Sequence, residues 1–320
     1  MPSLSSCATP GDPRSPAAAR LLATIGRMSA TALGLVLFAA LLHALWNVVA
    51  KRTGGDARFA LISALFLVVV WAPLGIWAAW DALPRWGRVE WAVLLASAIV
   101  HVFYFTTLLR GYRLSDLTVV YPVARGTGPL LASLGALLWL GESLSAIAAC
   151  GVAGVAIGVF FVAGGPGLWA KAHDPLQRAR VRAGIGWGAA TGALIAGYTL
   201  IDGYAVKVLL LSPILVDYVG NVFRLPFLLP SALRDRRGFR EVWRAQWRAA
   251  LVVAVLGPLG YVLVLYAVRL APISHVAPAR EVSMLFAALI GGRLLGEGDR
   301  ALRLVGAACI AAGVGALALG

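Results

Sequence analysis

The chain has 320 residues, 60% of them hydrophobic and only 13% charged, with a mean hydropathy of +0.84. A water-soluble domain carries about 25% charged residues to cover its surface, so most of this surface faces hydrocarbon and a soluble module is excluded. The net charge of +14 would suggest nucleic acid in a soluble chain, but no recognition motif accompanies it and the basic residues collect between apolar runs, where lipid headgroups are their partners.

Residues 1–27 carry Pro, Ser and Arg without apolar periodicity and read as a disordered tail. They make a poor signal peptide, because the apolar run begins only after Met28 and is long enough to span. Met28, followed by Ser-Ala-Thr, also reads as an alternative start of translation. Ten apolar runs follow, at 29–50, 59–80, 91–109, 118–140, 146–163, 184–205, 213–233, 249–268, 274–292 and 304–319. They are continuous rather than alternating, which selects helices over a barrel. The expected fold class is therefore an all-α integral membrane protein with ten transmembrane helices.

Residues 166–183 read as a basic linker between two halves, 28–165 and 184–320. The stretch 234–248, "RDRRGFREVWRAQWR", interleaves six arginines with Trp243 and Trp247 and reads as an interfacial segment at anionic headgroups. Loops after odd-numbered helices hold 18 Lys and Arg against four after even-numbered ones. The positive-inside rule then places the odd loops in the cytoplasm and both termini outside, with the protein multi-pass in the plasma (inner) membrane.

The strongest organisational signal is self-similarity. "GYRLSDLTVVYP" at 111–122 matches "AVRLAPISHVAP" at 267–278, and beyond a one-residue slip the match continues. Arg125 falls over Arg280, Gly141-Glu142 over Gly296-Glu297, Gly151 over Gly306, Gly158 over Gly313, and Lys51 over Lys207. Five helices per half put the second copy into the membrane from the opposite side, an inverted repeat of the kind that alternates access around a central site.

"HALWNVVAK" in the first helix, "YTLIDGYAVK" at 198–207 and the Pro…Gly-Glu pattern of both halves resemble the EamA-type drug/metabolite transporter superfamily. The resemblance runs from Thr31 to the C-terminus. It implies a ten-helix secondary transporter of small organic solutes, often an exporter, and does not supply the cargo.

There is no Walker A loop, HExxH or GxSxG, and His43, His101, His173 and His275 are scattered, so neither catalysis nor a cofactor or metal is expected. Cys7, Cys150 and Cys309 form no CxxC pair and read as packing residues. The informative residues are ionisable groups inside the spans, each costing about 2.5–3.5 kcal/mol at a helix centre on insertion scales. They are Arg125, Arg280, Glu281, Asp202, Asp217 and Arg224, the last two sharing a face of the seventh helix with Asn221. One reading points the guanidinium forks of Arg125 and Arg280 at a carboxylate, phosphate or phosphonate of a substrate. The other has them neutralised by Glu281, Asp202 or Asp217, three cations against three anions. Gating or proton coupling is a third role.

Two polar stripes, His43, Asn47 and Lys51 on the first helix and Ser97, His101 and Tyr104 on the third, are expected to line the pathway with Trp46, Tyr121, Tyr198 and Tyr261. The Gly154–Gly158 GxxxG marks close helix contact, within one chain or between protomers. The function read from all this is transport of a small polar or anionic metabolite, with proton or other ion coupling and oligomeric state left open. An intramembrane enzyme and a non-transporting sensor or scaffold are the rivals; the first lacks a nucleophile or metal constellation, the second an appended soluble domain.

Overall fold

The computed structural model describes residues 28–53, 56–115, 117–162, 165, 174–290 and 300–320. The expected tail at 1–27, residues 166–173 of the basic linker, and Gly296-Glu297 lie outside the described residues. The chain forms α1 (Ala30–Thr53), α2 (Ala57–Trp80), α3 (Arg88–Leu114), α4 (Leu117–Trp139), α5 (Ala146–Val162), α6 (Pro175–Lys207), α7 (Pro213–Arg234) and α8 (Arg236–Leu270). A broken helix follows, as α9 (Ile273–Ala279), a 3-10 turn (Arg280–Val282) and α10 (Ser283–Ile290), and then α11 (Arg300–Leu319). No strand occurs among the described residues. By length and apolar composition α1, α2, α3, α6, α8 and α11 can each cross a membrane.

Capping fixes where these helices begin. The Asp56 carboxylate accepts from the amides of Arg58 and Phe59, both at 3.0 Å, to start α2. Asp174 accepts from Gln177 N at 2.8 Å, with Pro175 next to it, and Asp235 accepts from Gly238 N at 2.9 Å. These two caps explain the differences from the hydropathy boundaries. α6 starts at 175 rather than 184, and α8 at 236 rather than 249. Arg, Gln and Ala are good helix formers, so each helix runs on past its apolar part, and the arginine-rich stretch is the first third of α8 rather than a loop before it.

Proline redirects hydrogen bonds inside the broken helix and inside α8. Pro278 has no N–H for the carbonyl of Ser274, and its ring crowds that carbonyl. The freed Ser274 oxygen accepts instead from Ser133 Oγ on α4 at 3.1 Å. Pro258 in α8 repeats the device: the Ala254 carbonyl it leaves free accepts from Trp71 Nε1 at 3.0 Å.

Helix pairing is symmetric under exchange of the halves. α1 packs on α8 as α6 packs on α3, α4 packs on α6 as the broken helix packs on α1, and α2–α7 and α5–α11 are self-paired. The last pair is a glycine seam. A Cβ on Gly151 would meet the Gly313 carbonyl at 2.8 Å, and one on Gly158 the Gly306 carbonyl at 2.6 Å, with the reverse approaches both at 2.7 Å. The close contact signalled by the GxxxG is thus within the chain, although Gly154 itself meets nothing nearer than 3.5 Å.

Side chains are distributed opposite to a soluble protein. Trp77 is 72% exposed, and Val69, Leu138 and Phe103 also face outward, while Arg125, Arg280, Asp202, Asp217 and Glu281 are buried. Cross-chain bonds define two ends. At one, Arg58 bonds Asp235, Gln246 Nε2 bonds the Thr53 carbonyl and Ser115 Oγ bonds the Arg180 carbonyl. At the other, Glu142 meets Lys207, Ile273 and Ser274. The first is the basic end of the molecule, ringed by Arg52, Arg113, Arg178, Arg182 and the arginines of early α8.

Candidate functional site

The buried charges fall into three groups. In the first, Arg125 of α4 lies with its Nε 2.9 Å from Glu281 Oε2, donates from an Nη to Ser283 Oγ at 3.0 Å, and sits 5.9 Å from the Tyr121 ring centroid. The Nε contact is one of charge with charge, since its direction does not qualify as a hydrogen bond. Glu281 is 1% exposed, so this is a desolvated pair that joins α4 to the 3-10 turn.

The second group surrounds Asp202 of α6, also 1% exposed. Its carboxylate accepts from Ser97 Oγ of α3 and from the Tyr261 hydroxyl of α8. His101 lies one turn beyond Ser97, its Nδ1 2.9 Å from the Ser97 carbonyl, and its ring stacks on Tyr198 with centroids 3.9 Å apart. Tyr104 meets Tyr198 edge-on at 5.6 Å and Tyr261 meets His101 edge-on at 6.3 Å. The result is an aromatic wall assembled from α3, α6 and α8.

The third group is the α7 face. Asn221 Nδ2 donates to Asp217 Oδ1 at 3.0 Å, and Arg224 Nη1 lies 3.4 Å from Asn221 Oδ1. The Arg224 Nε is buried without a hydrogen-bond partner among the described residues. On α1, His43 packs edge-on against Trp46 at 5.0 Å, and Asn47 Nδ2 donates to the His43 carbonyl at 2.7 Å. The side chain of Lys51, the third member of that stripe, lies outside the described residues.

Arg280 stands apart from all three groups. It is 7% exposed, no carboxylate lies within 4 Å of it among the described residues, and its Nε has no hydrogen-bond partner there. It lies beside Glu281 in the 3-10 turn, which packs on α1. A buried cation is ordinarily matched by an anion. Among the described residues that match is incomplete. The 3-10 turn after Pro278 carries Arg280 and Glu281 together, and Arg125 takes the carboxylate.

Sequence reading did not single out Glu142 as a site residue. It lies between α4 and α5, and its two oxygens accept from Lys207 Nζ and Ile273 N at 2.8 Å and from Ser274 N and Oγ at 2.9 Å. Burial alone would push this carboxyl up, but the Lys207 charge and the hydrogen bonds from Lys207, Ser274 and Ile273 outweigh it and hold the group below its ordinary range. The repeat match of Gly141-Glu142 and of Lys207 was the available signal; what it lacked was that the two residues meet.

No group of three or more His, Cys, Asp or Glu side chains with metal-ligand geometry occurs among the described residues. An apolar groove of about 1070 Å³ lies between α3 and α6 and is lined by Ala92, Ala96, Gly197, Leu200, Ile201 and Tyr204 among others. None of the central ionisable groups lines it.

A family model described as the EamA-like transporter family matches residues 30–164 and again 182–319. The fold recurs among solved structures: one crystal structure aligns over 90% of this chain and 96% of its own with a TM-score of 0.66, at 19% identity. No curated protein matches the chain.

Proposed function

The chain belongs to the EamA-like transporter family as two copies of the family unit, and from that premise we propose that it is a secondary transporter of a small anionic metabolite. The observation that carries the anion is the buried Arg280 guanidinium, which has no carboxylate within 4 Å among the described residues while the equivalent Arg125 has Glu281. A planar fork of donors suits a carboxylate, phosphate or phosphonate, and binding there would complete the charge match. The wall of His101, Tyr198 and Tyr261 gives the rest of such a solute an amphipathic surface to lie against.

The α7 residues Asp217, Asn221 and Arg224 and the α1 residues His43, Trp46 and Asn47 complete the pathway in this reading. Ten spans in two inverted five-helix repeats rock about it, export being the working direction. Both termini lie on the non-cytoplasmic face of the inner membrane, because the basic end is the cytoplasmic one. A cytoplasm-only fluorescent reporter fused after Gly320 is expected to stay dark; bright cells would reverse the orientation. The substrate class is tested by counterflow in liposomes with inorganic phosphate, a phosphonate, mono- and dicarboxylates, and organic amines as controls. Exchange of an anion is expected, and exchange of amines alone would overturn the assignment.

A further inference from the structure

We propose that Glu142 is the latch of the transport cycle at the end of the molecule opposite the arginine-rich one, and that through helix α9 it positions Arg280. The proposal rests on the transporter reading for its purpose, but its geometry stands independently.

One carboxylate makes four bonds here, to Lys207 Nζ, Ile273 N, Ser274 N and Ser274 Oγ. Glu142 belongs to the first half of the chain and every one of its partners to the second. The bonds therefore tie the α4–α5 connection to the end of α6 and to the start of α9, across the boundary that alternating access has to open. Because all four depend on a single side chain, losing its charge weakens all of them together. That is how a closed state is held firmly and released as a unit.

What lies beneath the bonds is shut. Every residue from Ala271 to Met284 is buried, with Ile273, Ser274 and His275 at 0% exposure. Ser133 of α4 donates to the Ser274 carbonyl. Arg280 follows about two turns after Ser274, beyond the Pro278 break. A displacement of the start of α9 is consequently delivered to the guanidinium, and the break lets that half move without α10. The carboxylate also satisfies the first amides of α9, which have no intrahelical acceptor, so the released state must rehydrate them. This is possible only if water enters from that end.

Accessibility measures this without a substrate. In a chain with Cys7, Cys150 and Cys309 replaced by alanine, S133C is labelled by a membrane-impermeant maleimide added to the face that bears Glu142. Glu142→Gln keeps the shape and loses the charge, and Lys207→Met removes one partner on a different helix. The labelling rate is expected to rise about tenfold or more in E142Q, from the loss of charge-assisted bonds, and by a smaller factor in K207M. If E142Q does not fold, K207M alone decides. An unchanged rate in folded variants would overturn the latch, leaving Glu142 a static staple. Since no solute is involved, this failure is distinct from a failure of anion counterflow.

Discussion

Arg125 and Arg280 occupy equivalent places in the two halves, yet the folded chain treats them oppositely. Arg125 sits in unbroken helix α4 with a carboxylate, a hydroxyl and an aromatic face around it. Arg280 sits in a 3-10 turn with no such set among the described residues. Two residues outside the repeat make the difference. Glu281, which follows Arg280, has no counterpart after Arg125, where Gly126 stands, and Ser283 answers to Gly128. Both substitutions arm the second half with groups that reach across to Arg125. A repeat thus supplies two cations, and local departures from the repeat give one an ion pair that the other lacks among the described residues.

The strongest way to break this comparison is Arg125→Met. It strands Glu281 in the core, and removal of one partner from a buried pair costs about 3–5 kcal/mol. Thermal unfolding in detergent should show that loss, with most of it regained in R125M/E281Q. Arg280→Met removes a cation with no ion-pair partner among the described residues and should leave stability unchanged or raised; a comparable loss there would erase the distinction. Ser283→Ala is a finer probe. It removes the neutral acceptor of the Arg125 Nη and should cost about 1.5–3 kcal/mol, the range for bonds to charged groups. Acidification adds a test at the Glu142 end. A carboxyl held below its unfolded value contributes stability above that value and loses it as pH falls through the folded one. The acid side of the stability profile should therefore flatten in E142Q relative to the parent chain.

The helical class, the positions of the apolar cores and the two-copy organisation were legible because hydropathy and spacing act locally. The ends of α6 and α8 were not, since caps at Asp174 and Asp235 extend the helices through polar residues that hydropathy ignores. The break after Pro278 was hidden for a related reason: prolines also stand in α2, α4, α7 and α8 without ending them. At the site, the candidate ionisable groups were visible as charges in apolar runs. Which of them pair was not, because Arg125–Glu281 and Ser97–Asp202 join residues more than a hundred positions apart. The Glu142 bonds, to residues 65 to 132 positions away, escaped for a similar reason, although each partner sits beside a repeated motif.

The central claim is that the guanidinium of Arg280, which has no ion-pair partner among the described residues, holds the transported anion. Counterflow of whichever anion the parent chain exchanges, measured beside R280K and R280M in liposomes at matched protein density, tests it directly. Lysine keeps the charge and loses the fork, so R280K should exchange the anion weakly and R280M not at all, with both variants folded. Parent-level exchange by R280M would contradict the account.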